Sequence, residues 1–285
     1  MPALQTSAKV NLALSIVGRR ADGYHLIDSL ITFVPVGDGL TIAPAETLTL
    51  TVSGPFADTL GSSPDNLVLK AARLLQDEAE RLGRGRPGAA MSLDKRLPIA
   101  SGVGGGSGDA AAVLNGLSAL WHLKLPQERL AALALTLGAD VPMCLAGRSA
   151  RVRGIGELIA PAPSLPDLTL LLVNPGAPVS TPAVFKALTR RDNPPLPELP
   201  AGWDGLDHLV DWLSTTRNDL QPAALSLSPA IADVLAALSA APGCRFARMS
   251  GSGATCFGIF AARAEAEAAA AAIRTERPDW WIAVG

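Results

Sequence analysis

The chain has 285 residues, 48% of them hydrophobic, with 24 Lys and Arg against 26 Asp and Glu for a formal net charge of −2. That length is comfortable for two domains with full cores, and the near-neutral balance offers no basic face, which speaks against nucleic acid as a partner. Cys144, Cys244 and Cys256 show no metal spacing, cannot all pair and sit among apolar residues, as buried free thiols of a cytoplasmic protein do; no stretch approaches a bilayer span, and Lys9 precedes only a short apolar run, so neither a membrane segment nor a signal peptide is expected.

Residues 6–17 alternate in part, with Val10, Leu12, Leu14 and Ile16 on one face, and this predicts a strand. Lys9 and Asn11 fall on its other face, where an isolated lysine is ordinarily solvated. Residues 19–23 end in Asp22-Gly23, a hairpin-type turn signal. Tyr24, the only tyrosine, and His25, one of three histidines, follow it and could serve packing as well as binding. Segments 30–36, 40–44 and 47–54 read as strands. Residues 64–76 read as a helix capped by Asp65 or Asn66, with Leu67, Ala71, Leu74 and Leu75 as its stripe. Residues 80–88 read as a charged loop and 89–98 as a strand.

The stretch PIASGVGGGSGDAAA, residues 98–112, carries Gly102, Gly104, Gly105, Gly106 and Gly108 with Ser101 and Ser107 among them. Val113, Leu114, Leu117, Leu120 and Trp121 then recur at helical spacing. A glycine loop running into a helix N-terminus, where N–H groups are unpaired and the dipole is positive, is an anion site, and phosphate is the usual anion. A plain linker would not run straight into an apolar helix. Gly106 to Ala111 fits G-x-G-x-x-A, but Glu128, twenty residues past Gly108, lies in a helix start rather than at a strand end. A P-loop is excluded because no Lys-Ser or Lys-Thr pair ends the glycine run.

Beyond the loop helix, residues 126–137 form a second helix, begun by Pro126 and ended by Gly138. Asp140 follows amid apolar residues and needs a partner, either as a local cap or as a functional carboxylate. Residues 148–160 read as a hairpin, and 168–173 as a buried strand opening a second domain. A Pro/Gly turn precedes a helix begun at Ser180 or Thr181. A Pro-rich connection leads to helical segments 204–215 and 228–241. The stretch FARMSGSGATCFGIF reads as strand, glycine turn, strand. An Ala-rich helix over 262–277 and a last strand close the chain.

Three separated segments converge: AKVNLAL early, LPIASGVGGGSGDAAA in the middle and MSGSGATCFGIF late. Together they resemble the GHMP kinase superfamily, small-molecule kinases that lack a P-loop. The resemblance runs from residue 6 to the C-terminus. KVNLALSIVGRRADGYHLIDSL, PDNLVLKAA, LGADVPMCLAG, PGAPVSTPAVF and RNDLQPAA narrow it to the branch whose substrate is a cytidine diphosphate-linked methylerythritol. One departure shows: that branch usually reads GGGSSDAA, and Gly108 replaces the second serine, losing a hydroxyl contact to phosphate or metal while the backbone N–H groups remain.

The resemblance implies an α+β chain with a ribosomal-protein-S5-like N-terminal ATP-binding domain (1–160), a ferredoxin-like C-terminal domain (161–285) and the active site in the cleft between them. It implies ATP as phosphoryl donor with Mg²⁺ carried mainly on the phosphates, its protein ligands unassigned. It places the adenine beside Leu67, Val68 and Lys95, and the phosphates along Pro98, Ile99, Ala100, Ser101, Gly102, Val103, Gly104, Gly105, Gly106, Ser107 and Gly108. Asp140 is then the base for the substrate hydroxyl, in direct contact with Lys9. Asn11, Tyr24, His25, Thr181 and Phe185 are its substrate set, with the base stacked between Tyr24 and Phe185 and sensed by His25. A monomer or homodimer in the cytoplasm is expected. The alternatives are a homoserine or mevalonate type kinase, a non-enzymatic phosphometabolite-binding protein, and the nicotinamide oxidoreductase of the dinucleotide reading.

Overall fold

The computed structural model describes residues 4–60 and 65–285. From the N-terminus come β1 (Leu4–Gln5), β2 (Ala8–Arg19), β3 (His25–Val34), β4 (Gly39–Ala45), β5 (Leu48–Ser53), α1 (Ala57–Leu60), α2 (Leu67–Arg81) and β6 (Gly88–Asp94). The glycine run leads into α3 (Gly105–Leu120), followed by α4 (Gln127–Leu137) and α5 (Val141–Ala146). Then follow β7 (Ala150–Gly154), β8 (Leu158–Pro161), β9 (Thr169–Asn174), α6 (Thr181–Lys186), α7 (Gly205–Ser214), α8 (Gln221–Leu227) and α9 (Ala230–Ala240). The chain closes with β10 (Phe246–Met249), β11 (Cys256–Phe260), α10 (Arg263–Glu276) and β12 (Trp281–Val284).

These elements form two compact units that are discontinuous in sequence. The first comprises Met1–Ala8, Gly37–Ile99 and Gly104–Gly147; the second comprises Lys9–Val36, Ala100–Val103 and Arg148–Gly285. In the first, a sheet ordered β1-β4-β6-β5 has β4 antiparallel and β5 parallel to β6. Its apolar cluster joins Ile42, Met91 and Leu93 of the sheet to Leu75 of α2, Leu114 and Leu117 of α3, Leu133 of α4 and Val141 of α5. In the second, one sheet is ordered β2-β3-β7-β8 and another β10-β11-β9-β12. Leu14 and Ile16 share an apolar cluster with Leu171, Val173, Ile231, Phe260 and Ile273.

Several elements depart from the periodicity reading, each for a local reason. Strand β2 is buried on both faces from Ala8 to Ile16, so Lys9 and Asn11 are core residues and not the solvated face an isolated lysine would take. Of the two candidate caps for α2, Asn66 serves: its side-chain oxygen accepts from Val68 N at 2.9 Å. Pro64, where that helix was expected to begin, lies outside the described residues. The helix continues past Gln76 to Arg81 because Glu78 is buried and satisfied. Its carboxylate accepts from Arg81 at 2.6 and 2.9 Å and from Arg129 of α4 at 2.6 and 2.9 Å. The helices α1, α5 and α8 had no sequence signal of their own. All three cysteines are free, and burial pushes the Cys256 thiol up. Among the described residues no helix is long and apolar enough to cross a membrane.

The Glu78 clasp has a pH signature. Hydrogen bonds from Arg129 and Arg81 lower its carboxyl from 4.5 to about 2. A depressed carboxylate contributes stability that is complete above its unfolded-state value and is lost as pH falls toward its folded-state value. Glu78→Gln should therefore melt earlier than the parent near neutral pH, with the gap narrowing as pH falls from about 4.5 toward about 2. Thermal melts of both proteins from neutral to acid pH check this; a gap that stays constant throughout would tie the cost to shape and not to charge.

Candidate functional site

In the second unit, three motifs meet on backbone. Ala100 and Gly102 have φ of 52° and 78°. A Cβ on Gly102 would lie 2.4 Å from the carbonyl oxygen of Ser250 and 2.8 Å from the nitrogen of Gly253, so only glycine permits this approach. Thr255 N donates to the Ser101 carbonyl at 3.1 Å, the Ser250 hydroxyl to the Gly102 carbonyl at 3.0 Å, and Lys9 N to the Val103 carbonyl at 2.9 Å. Asn11 N in turn donates to the Ser250 hydroxyl at 3.0 Å. The early strand, the loop 100–103 and the late glycine turn are therefore one hydrogen-bonded assembly.

The side chains on β2 are fixed within it. The Lys9 ammonium donates to Asn11 Oδ1 at 2.9 Å, and Asn11 Nδ2 donates to the Ser29 hydroxyl at 2.8 Å, which donates to the Ala13 carbonyl at 2.6 Å. Asn218 Nδ2 donates to the carbonyls of Met249 and Gly251, at 2.8 Å each, and so holds the late turn. Ser29, Asn218 and Ser250 went unassigned from sequence. The stretch RNDLQPAA contains Asn218, but nothing in its spacing says that its amide holds a turn 31 to 33 residues on.

In the first unit, the helix that was expected after the glycines begins inside them. Gly104 is the N-cap of α3 in left-handed geometry, φ 68° and ψ 23°, with no side-chain cap. Gly105, Gly106, Ser107 and Gly108 form the first turn, whose leading N–H groups have no intrahelical carbonyl to bond. Leu67 flanks this turn: a Cβ on Gly106 would meet its Cδ1 at 3.5 Å. Val68, by contrast, is buried in the apolar cluster. A Cβ on Gly108 would make only ordinary contacts, 3.5 Å to the Ser7 carbonyl oxygen, so space does not force the glycine that replaces serine there. Below the turn, the Lys95 ammonium is buried and bonded to Asp38 and Asp109. Pro98 and Ile99 connect β6 to the glycine run. Asp140 is the N-cap of α5; it belongs to the first unit and Lys9 to the second.

The aromatic candidates lie in the second unit. The His25 and Phe185 rings stack with centroids 4.9 Å apart at 29°. His25 Nε2 is buried and accepts or donates no hydrogen bond, and burial, together with Arg19 and Arg191, shifts its titration downward. Tyr24 is 58% exposed, so it is no core aromatic. Thr181, one helical turn before Phe185 on α6, shares a 2.8 Å hydroxyl contact with Ser252 of the late turn. The fold thus links Thr181, Phe185 and His25 to the turn that also holds Asn11. Among the described residues no group of three or more His, Cys, Asp or Glu is arranged to hold a metal ion.

Family profiles described as GHMP kinases N terminal domain and GHMP kinases C terminal match residues 66–148 and 203–279. The chain is 54% identical over 277 residues to a 4-diphosphocytidyl-2-C-methyl-D-erythritol kinase of Cereibacter sphaeroides, covering 97% of this chain and 95% of that one. It is 55% identical to the kinase of the same name from Mesorhizobium japonicum, covering 97% and 92%. A crystal structure of 4-(cytidine 5'-diphospho)-2C-methyl-D-erythritol kinase superposes with a TM-score of 0.77 at 35% identity, over 99% of this chain and 98% of that one. Homoserine kinase from Cytophaga hutchinsonii shares the fold, with a TM-score of 0.68 at 20% identity over 99% and 93% of the two chains. The chain is a two-domain α+β GHMP kinase, and within that superfamily it belongs to the 4-diphosphocytidyl-2-C-methyl-D-erythritol kinases.

Proposed function

We propose that this kinase transfers the γ-phosphoryl group of ATP to the 2-hydroxyl of 4-diphosphocytidyl-2-C-methyl-D-erythritol, a step of non-mevalonate isoprenoid precursor synthesis. The observation that carries the reading is the uncapped, glycine-built first turn of α3, an arrangement that leaves N–H donors and a positive helix end for the phosphates. The donors there are N–H groups and a hydroxyl, which suit anions; Mg²⁺ would arrive on the triphosphate and neutralise charge as it transfers. Leu67 would pack on the adenine side of that turn. The Lys95 ammonium is already engaged by two carboxylates, which leaves its stem and backbone for the nucleotide.

In this reading Asp140 accepts the proton of the substrate hydroxyl, and Lys9 steadies the charge that develops. Asn11 positions Lys9 through their 2.9 Å contact. The His25 ring, stacked on Phe185, would sense the exocyclic amine and N3 of cytosine, with Thr181 alongside. This pair favours the cytidine-bearing alcohol over homoserine or mevalonate, which have no base to stack.

An ADP-release assay offering the cytidine diphosphate substrate, homoserine and mevalonate in parallel tests the reading. Turnover is expected with the first, and turnover confined to either of the others would replace it. Asp140→Asn should lower kcat about 10²–10⁴-fold with little change in either Michaelis constant, as a positioned base acting in the transition state does. Adding Lys9→Ala to that variant should cost less than the two single losses summed; near-parental turnover in Asp140→Asn would take the base role from this residue.

The aromatic residues separate binding from packing. Tyr24→Ala should raise the Michaelis constant for the cytidine substrate about 5–150-fold, the equivalent of about 1–3 kcal/mol of stacking, and leave that for ATP unchanged. Because Tyr24 is exposed, its melting temperature should hold. Phe185→Ala should show the same kinetic split with some loss of stability, since Phe185 packs against the apolar cluster. Equal losses for both substrates would return these rings to a structural role.

A further inference from the structure

The carboxylate of Asp109 is the fifth residue of α3, directly after the turn assigned to the phosphates. The Lys95 ammonium donates to Asp38 Oδ2 at 2.5 Å and to Asp109 Oδ2 at 2.9 Å. The other oxygen of Asp38 accepts from Arg96 N at 2.6 Å and Leu97 N at 2.8 Å. The other oxygen of Asp109, Oδ1, is buried with no hydrogen bond, in a residue that is 2% exposed. Two carboxylates therefore share one ammonium, leaving one excess negative charge. The shared ammonium lies against the helix start, since a Cβ on Gly105 would lie 3.1 Å from Lys95 Nζ, and the two carboxylates stand behind it. A buried carboxylate with an orphaned oxygen is costly as an anion, and protonation relieves the cost.

We infer that Asp109 is a proton acceptor linked to nucleotide binding: when a triphosphate docks on the first turn of α3, Asp109 takes a proton from solvent and the Asp38–Lys95–Asp109 cluster passes from one net negative charge to none. The inference rests on the ATP reading of that turn. Burial pushes the Asp109 carboxyl up to about 7, with Asp38 adding to the rise and Lys95 opposing it. Near neutral pH it is thus divided between its two forms, and a polyanion placed close by favours the neutral one.

The other elements packed on α3 carry their charges in pairs of their own or in solvent. On α2, Lys70 pairs with Asp65, Glu78 is held by Arg81 and by Arg129 of α4, Asp77 and Glu80 pair with Arg86, and Arg73 is exposed. On α4, Glu128 is exposed, and α5 presents Asp140 at its cap. Strand β4 brings no charged side chain, so Asp38, just ahead of it, and Lys95, just after β6, are the groups that act on Asp109.

Calorimetric titration of the full chain with Mg²⁺ and the non-hydrolysable analogue AMPPNP, in buffers of differing ionisation enthalpy, counts the protons taken up. The wild type should take up part of a proton near pH 7.5, beyond that due to the analogue itself. Its Kd should rise about three- to tenfold between about pH 6 and pH 8.5, a one-unit rise in the carboxyl being worth tenfold. Asp109→Asn carries a neutral amide in the same shape. It should bind at least as tightly as the wild type at the alkaline end and follow the analogue's own titration alone. Equal proton counts in the two proteins, or none in the wild type, overturn the inference while leaving the ATP site standing. Failure of both folded proteins to bind the analogue overturns the ATP reading and this inference with it.

Discussion

The carboxylate of Asp38 is the fixed point of the first unit. It is fully buried, and its residue is locked to Thr6 by backbone and hydroxyl hydrogen bonds of 2.9 and 2.8 Å. One oxygen takes the N–H groups of Arg96 and Leu97 and the other takes the Lys95 ammonium. Those two N–H groups lie where the chain has left β6 and has no ladder partner, so without the carboxylate they would need other acceptors. This one side chain fixes the backbone of Arg96 and Leu97, where the chain leaves the sheet. An acid here does what an apolar residue of the same size could not.

The second unit solves a matching problem with cations and amides. Strand β2 carries Lys9 and Asn11, and its backbone is held by Arg248 of β10. That guanidinium donates to the Leu12 carbonyl at 2.9 Å and also to Leu213 O and both oxygens of Thr216. Burial lowers its titration to about 10, still well above neutral pH, so it stays charged without a carboxylate among these bonds. One of its acceptors, the Leu213 carbonyl, lies in the last turn of α7, where the helix dipole is negative. With the strand fixed by an internal cation, Lys9 and Asn11 are oriented by each other and by Ser29, as the roles proposed for them would require.

Much of the scaffold was legible because it obeys simple periods. The run LTLLLV, residues 168–173, reads as a buried strand and overlaps β9, Thr169–Asn174, to within one residue at each end; Pro126 and Gly138 bracket α4 as its start and stop. The misses share a cause. Four residues of glycine and serine argue against helix by propensity, yet Gly105 to Gly108 are helical because the rest of α3 packs. VPMCLA looks like apolar loop and is a six-residue helix whose second residue is proline. Of the site, the glycine run, Lys9 and Asp140 stood out through their setting. The Asp38–Lys95–Asp109 cluster did not, because its partners are 57 and 14 residues apart and each alone reads as a surface charge. Pairing across that distance is a property of the fold and leaves no trace in local spacing.

On the phosphate role proposed for it, the start of α3 has a reason to look poorly built. A serine or aspartate at the N-cap is favoured over glycine by only a few tenths of a kcal/mol, and at the left-handed Gly104 it would be strained, whereas each glycine in place of alanine in the first turn forfeits up to about 1 kcal/mol. The chain accepts that loss. A capping side chain gains its stability by taking the N–H groups of the first turn, which are the groups an incoming anion must use. Side chains in that turn would likewise stand between the ligand and the backbone. Stabilising the free helix and keeping it receptive to phosphate are therefore opposed at the same atoms, and the compensation has to come from elsewhere in the unit. It comes from the apolar seam of α3 against α2, α4 and β4, which holds the helix by its far turns and leaves the first one open.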